Sequence, residues 1–235
     1  MSEQFVIDAI PVELRRNRRR RTRIGIDFDP AGVVVLDAPV ATTFEEVEAI
    51  VAEHGRWIRY RLQKVREATA HLGRVRYQEG DIVQYLGRNL TLRVSAEDGS
   101  AVFLEGKRLC VAALDAADAR SKVRGWYQSE AEVVFAAALD RWRDLPWLAG
   151  RLPAWRHSFM RTQWGSCSEM GRVSLNTHLV KTPLKLIDYV VLHELCHLEY
   201  LNHGKRFYGL MTRYLPAWRV RRKDLDKFMP LLLEE

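Results

Sequence analysis

His193-Glu194-Leu195-Cys196-His197 sets two imidazoles four residues apart with a carboxylate beside the first. On a helix this step leaves the two rings about 40° apart, so both project from one face and can share a metal ion. Glu194 lies about 100° round from His193, where it can reach water at the metal without ligating the metal itself. A catalytic zinc takes three protein ligands and keeps one position open. His203 follows His197 by six residues, whereas no Asp or Glu occurs between Glu199 and Asp224. His203 is therefore the expected third ligand, returned toward the helix by the turn-prone Asn202 and Gly204. That assigns one zinc per chain to His193, His197 and His203, with Glu194 as general base. Of the cysteines nearby, Cys167 and Cys196 are expected to pack rather than react. His178 is a further candidate to reach the cleft, whereas His54, His71 and His157 stand in no motif.

The element that must carry these groups is a helix from Leu184 to about Tyr200. Thr182-Pro183 is its start signal, a capping hydroxyl followed by a residue with no amide to satisfy. Ile187, Val191, Leu195 and Leu198 form a separate apolar stripe that buries the helix and leaves the histidine face open. Upstream, Arg156–Trp164 and Arg172–Leu179 are expected to form a hairpin joined by residues 165–171. Its edge could hold an extended peptide through main-chain hydrogen bonds.

The rest of the chain supplies scaffold. Phe5–Ile10, Ile24–Phe28 and Val33–Leu36 are β-rich runs, with turn residues at Asp29–Gly32. Thr43 and Glu46 fit a capping box ahead of an amphipathic helix reaching roughly Ala70. Period-two runs at Ile82–Leu86, Leu90–Val94, Ala101–Leu104 and Arg108–Val111 suggest a β-meander. Helical spacing then returns from Asp118 to about Trp142. No sequence repeat is visible, and a boundary near residue 113 divides a β-rich domain with one long helix (1–112) from a hydrolase domain (113–235).

Composition narrows the setting. Hydrophobic residues at 47% and charged residues at 29% describe a folded chain. Seven of the 37 basic residues lie between Arg15 and Arg23; without them basic and acidic residues balance at 30 each. The net charge of +7 is thus one segment long. Such an arm can bind phosphate, but its apolar flanks also suit the solvated part of a strand pair. Three cysteines without a CxxC pair argue against a secreted disulfide framework. With no long apolar run and no signal-like start, the expected location is the cytoplasm, with no membrane.

Trp164-Gly-Ser-Cys-Ser168, Val173-Ser-Leu-Asn176, the Ile187–Leu198 block, Asn202-His203, Arg206-Phe207 and Leu215-Pro216 together resemble the YgjP-like family of zinc-dependent metallopeptidases, relatives of the SprT-like proteases. The resemblance implies a zincin-like catalytic domain, zinc on His193, His197 and His203, and Glu194 as catalytic base. Gly204 and Tyr208 depart from residues common in the family, and Tyr200 stands where metzincins use a turn glycine. The combined expectation is an α+β metal-dependent hydrolase acting on polypeptides, with Tyr189, Tyr200 and Tyr208 as possible oxyanion donors. Two rivals stand beside it. One is phosphoanhydride hydrolysis of a nucleoside triphosphate; the other is a nucleic-acid-associated protein recruited through Arg15 to Arg23.

Overall fold

The computed structural model describes residues 2–18, 24–28, 33–71, 75–96, 99, 101–161 and 163–233. Two compact units divide the chain: Met1–Arg74 with Met229–Glu235, and Val75–Phe228.

The first unit contains β1 (Ser2–Ile7), β2 (Ile10–Arg16), β3 (Gly25–Phe28), β4 (Val34–Ala38) and α1 (Phe44–His71). The single strand expected from Phe5 to Ile10 is broken by Asp8 and Ala9, both at positive φ (48° and 61°), which close a two-residue hairpin. Neither residue is the Gly or Asn that would signal such a turn. Ile10, Val12 and Leu14 alternate into the core, so the register of β2 is set by its inward face. Two residues of the Arg-rich segment have structural partners: Arg15 pairs with Glu13, and Arg16 pairs with Glu3 and donates to the carbonyls of Val40 and Thr42. Arg19–Arg23 and the turn expected at Asp29–Gly32 lie outside the described residues. The capping box is present: the Thr43 amide donates to Glu46 and the Glu46 amide to the Thr43 hydroxyl.

The second unit opens with β5 (Ile82–Tyr85), β6 (Arg88–Ser95), β7 (Val102–Glu105), β8 (Arg108–Ala112) and α2 (Ala116–Asp140). Its strand order is β5-β6-β8-β7, with β6 and β8 parallel, so the expected meander is instead two hairpins joined through a parallel central pair. The first unit has the same plan, β1-β2-β4-β3 with β2 and β4 parallel and a long helix next in the chain. The topology repeats although no sequence repeat marks it.

The two compact units part at the Arg74–Val75 junction, whereas the sequence places its boundary near residue 113. The β5–β6 turn is anchored within the second unit: Leu86 and Gly87 donate to the carbonyls of Val180 and Lys181. Gly87, at φ +76°, lies so near Pro183 that a Cβ there would meet its ring at 2.6 Å. Leu90, Leu92, Leu109 and Val111 share one core with α2 and the histidine helix.

The remaining elements are β9 (Trp155–Ser158), β10 (Gly165–Cys167), β11 (Val173–Asn176), α3 (Leu184–Cys196), α4 (Lys205–Tyr214) and α5 (Trp218–Asp226). The expected hairpin is re-paired. β11 is antiparallel to β10 and parallel to β9, so residues 156–158 lie on the far side of β11 and β10 forms a sheet edge. β9 and β10, consecutive in the chain, are thus the two edges of this sheet. At the start of α3, Pro183 occupies the N-cap, and the Thr182 hydroxyl donates to Leu179 rather than capping the helix. Among the described residues no helix is long and apolar enough to cross a membrane.

Candidate metal centre

α3 is held from both ends. Leu186, Ile187, Val190, Val191, Leu192 and Leu195 are buried, and the Trp147 indole N–H donates to the Leu195 carbonyl at 2.9 Å. This burial turns the other face of the helix, with His193 and His197, toward α4. The helix closes at Cys196, with His197 as its C-cap in αR geometry, earlier than the sequence suggests.

His193, His197 and His203 converge, with ligating atoms all within 4.8 Å of one another. The Nε2 atoms of His193 and His203 are 3.0 Å apart, a separation that needs a proton or a metal ion between the two lone pairs. The His197 Nδ1–H donates to the Tyr200 carbonyl at 3.2 Å, which leaves its Nε2 lone pair free for the cluster. Phe207, fully buried on α4, stands 4.7–4.9 Å from all three imidazole centroids and forms their common backing. Burial, and then the charges of the other two histidines, holds His193 down to about 3, and burial also lowers His203. Three imidazoles around one point, with no carboxylate among them, are a donor set that suits zinc.

Glu194 is 5% exposed and lies against β10. Burial pushes its carboxyl up to about 8, near the value a general base requires at neutral pH. A Cβ on Gly165 would lie 2.7 Å from Glu194 Oε1 and 2.9 Å from its Cγ, so only glycine lets this strand run so close to the carboxylate. Gly165 lies inside a motif that sequence reading recognises, yet its role depends on a contact 29 positions away.

Asn176 is a second such residue. Fully buried, it donates to the carbonyls of Met160 and Gln163 and accepts from the amides of Met160 and His178. Its amide uses all four of its hydrogen-bonding positions to fix the loop that delivers Gly165. Asn176→Ala is expected to lower stability by about 3 kcal/mol, because two loop carbonyls lose their donor. A lowered thermal midpoint checks this; an unchanged one would mean that the loop is held by other groups.

The other candidates sort clearly. Tyr189, 6.0 Å from His193 between ring centroids, and Tyr208, 6.1 Å from His203, flank the cluster. Burial pushes Tyr189 up to about 12, so its hydroxyl keeps a proton to donate. Tyr200 enters through its carbonyl. Cys196 is buried beside Met211 and pushed up to about 12, and burial raises Cys167, so neither is poised as a thiolate. His178 is buried edge-on to Phe159 and is not part of the histidine cluster. His157 meets Thr177 and Glu132, and His54 meets Trp57.

A model of the YgjP-like metallopeptidase domain matches residues 22–228 of this chain. No curated protein matches it. Among solved structures the chain is similar to the metallopeptidase zymogen of Methanocaldococcus jannaschii jannalysin. That likeness has 20% identity and a TM-score of 0.33, over 41% of this chain and 95% of the other.

Proposed function

The chain belongs to the YgjP-like metallopeptidase family and is a metal-dependent hydrolase, and from that premise we propose that it cleaves peptide bonds at a single zinc held by His193, His197 and His203. The convergence of the three imidazoles beside a buried carboxylate is the observation that carries this reading. When bound, a zinc ion supplies Lewis acidity toward water and a carbonyl, and a positive charge that favours the ionised form of Glu194. Glu194 takes a proton from the attacking water on a carboxylate oxygen and returns it to the leaving amine. The Tyr200 carbonyl holds His197 in the tautomer that presents Nε2, and Phe207 keeps the three rings from turning away. Tyr189 and Tyr208 are the phenols beside the cluster that can donate to a developing oxyanion.

The β10 edge suits an extended polypeptide, whose main chain can pair with it within reach of Glu194. A compact nucleotide would gain little from that row of backbone groups, and no glycine-rich phosphate loop accompanies the site. Arg15 and Arg16, already paired with glutamates, lend no weight to recruitment by nucleic acid.

His203→Ala tests the ligand set. Two imidazoles in place of three are expected to loosen zinc while α3 stays folded, because His203 lies outside the helix. Elemental analysis of the purified chain measures the ratio: wild type is expected near one zinc per chain and the variant well below it. Full retention in the variant would remove His203 as a ligand.

A further inference from the structure

The apolar spacing carries the histidine helix to about Tyr200, yet α3 closes at Cys196. Its last hydrogen bonds show how. The amides of His197, Leu198 and Glu199 donate three residues back, to the carbonyls of Glu194, Leu195 and Cys196, each at 3.2 Å. An α-helix would make these bonds four residues back, so the chain here tightens toward 3₁₀ geometry. In a continued helix the Leu195 carbonyl would accept from the Glu199 amide. It accepts instead from Leu198 and, at 2.9 Å, from the indole N–H of Trp147. A carbonyl oxygen has two lone pairs, and both are taken.

The early close matters for His197. Carbonyls of an α-helix point along its axis toward the C-terminus, so in a continued helix the Tyr200 carbonyl would face away from a side chain three residues earlier. Because the chain has left the helix, that carbonyl turns back and meets His197 Nδ1 at 3.2 Å. A ligating imidazole whose other nitrogen is held in this way keeps one tautomer and one ring orientation.

Trp147 is itself well fixed. It sits on a 3₁₀ turn, Pro146–Leu148, between the buried Leu145 and Leu148 and 48 positions before Leu195. Its ring also meets Tyr214, the last residue of α4, edge-on at 5.4 Å. One side chain thus meets the ends of the two helices that carry His193 and Phe207. We propose that Trp147 is a positioning residue of the metal centre. By taking the Leu195 carbonyl, its indole N–H ends α3 where His197 can cap it and where the Tyr200 carbonyl can hold the His197 ring. The proposal rests on the metal-centre reading and adds to it a residue outside the histidine motif.

Two variants separate the N–H from the ring. Trp147→Phe keeps an aromatic ring beside Tyr214 and loses the donor; Tyr214→Leu keeps the donor and loses the ring contact. In competition with a chelator, full-length Trp147→Phe is expected to hold zinc about tenfold more weakly than wild type, and Tyr214→Leu to stay within about twofold of it. Cobalt loaded in place of zinc reports ligand geometry through its visible absorption. That spectrum is expected to change in Trp147→Phe and to remain as wild type in Tyr214→Leu, whereas a merely structural role would lower the thermal midpoint without moving it. Wild type supplies a check that needs no substitution. If the hydrogen bond favours metal binding, bound metal favours the hydrogen bond by the same factor, so the Trp147 indole proton is expected to exchange with solvent about tenfold more slowly in zinc-loaded than in metal-free protein. Nuclear magnetic resonance follows that proton directly. Wild-type zinc affinity or an unchanged cobalt spectrum in Trp147→Phe, equal losses in the two variants, or equal exchange with and without zinc would overturn the proposal. Failure of wild type to bind zinc would remove the metal-centre reading, and the proposal with it.

Discussion

Glu194→Gln is expected to lower peptide hydrolysis by at least about a hundredfold while leaving the zinc content at the wild-type level. The two side chains have nearly the same volume, so the buried position beside Gly165 is filled as before. What is lost is the ability to accept a proton, and none of the three imidazoles is altered. Stability is expected to hold or rise slightly, because burial already disfavours the charged carboxylate, as its elevated pKa of about 8 records. Rate measured beside elemental analysis distinguishes this from a metal effect. Turnover at the wild-type rate in a fully loaded variant would exclude Glu194 as the base.

Gly165→Ala is expected to be the next most damaging change, at about tenfold or more in kcat, with substrate affinity and zinc content much less affected. The added methyl group would meet Glu194 at Oε1 and Cγ, so either the carboxylate leaves its position or the edge strand recedes from it. A double-mutant cycle separates this from a general weakening of the strand. If Gly165 acts through Glu194, the alanine costs about tenfold in the wild-type background and little in the Glu194→Gln background. Equal losses in both backgrounds would assign Gly165 to strand integrity alone.

The contrast between these two residues shows why some of the site was legible and some was not. His193 and Glu194 sit in the last turn of one helix, His197 caps it, and His203 comes after a short loop. Helical geometry and the absence of competing acids before Asp224 therefore suffice to group them. Gly165, Asn176 and Phe207 act through contacts between elements. Gly165 meets a carboxylate on α3, Asn176 ties a loop to β11, and Phe207 backs rings carried by two other segments. Pairing residues across elements requires the strand order, which period-two alternation does not contain.

The same limit explains the sheets. Alternating residues mark the strands of both four-stranded sheets, yet adjacency in sequence favours a meander, whereas each sheet joins its hairpins through parallel central strands. It also explains the boundary. The runs from Ile82 to Val111 look like a continuation of the preceding β-rich segment. Their apolar face and their Leu86-Gly87 turn are nevertheless committed to the histidine-bearing unit. The Asp8-Ala9 turn escaped because its second left-handed position falls on Ala9, a residue that rarely adopts that backbone.

The proposed activity of this histidine cluster, with Glu194, is hydrolysis of peptide bonds rather than of phosphoanhydrides. Zinc-loaded wild type and zinc-loaded Glu194→Gln, each incubated in parallel with denatured casein and with a panel of nucleoside triphosphates, test it most directly. Casein fragments formed by the wild type and lost in the variant, with the triphosphates intact, is the predicted result. Phosphate or pyrophosphate release that depends on Glu194, with casein uncut, would contradict it.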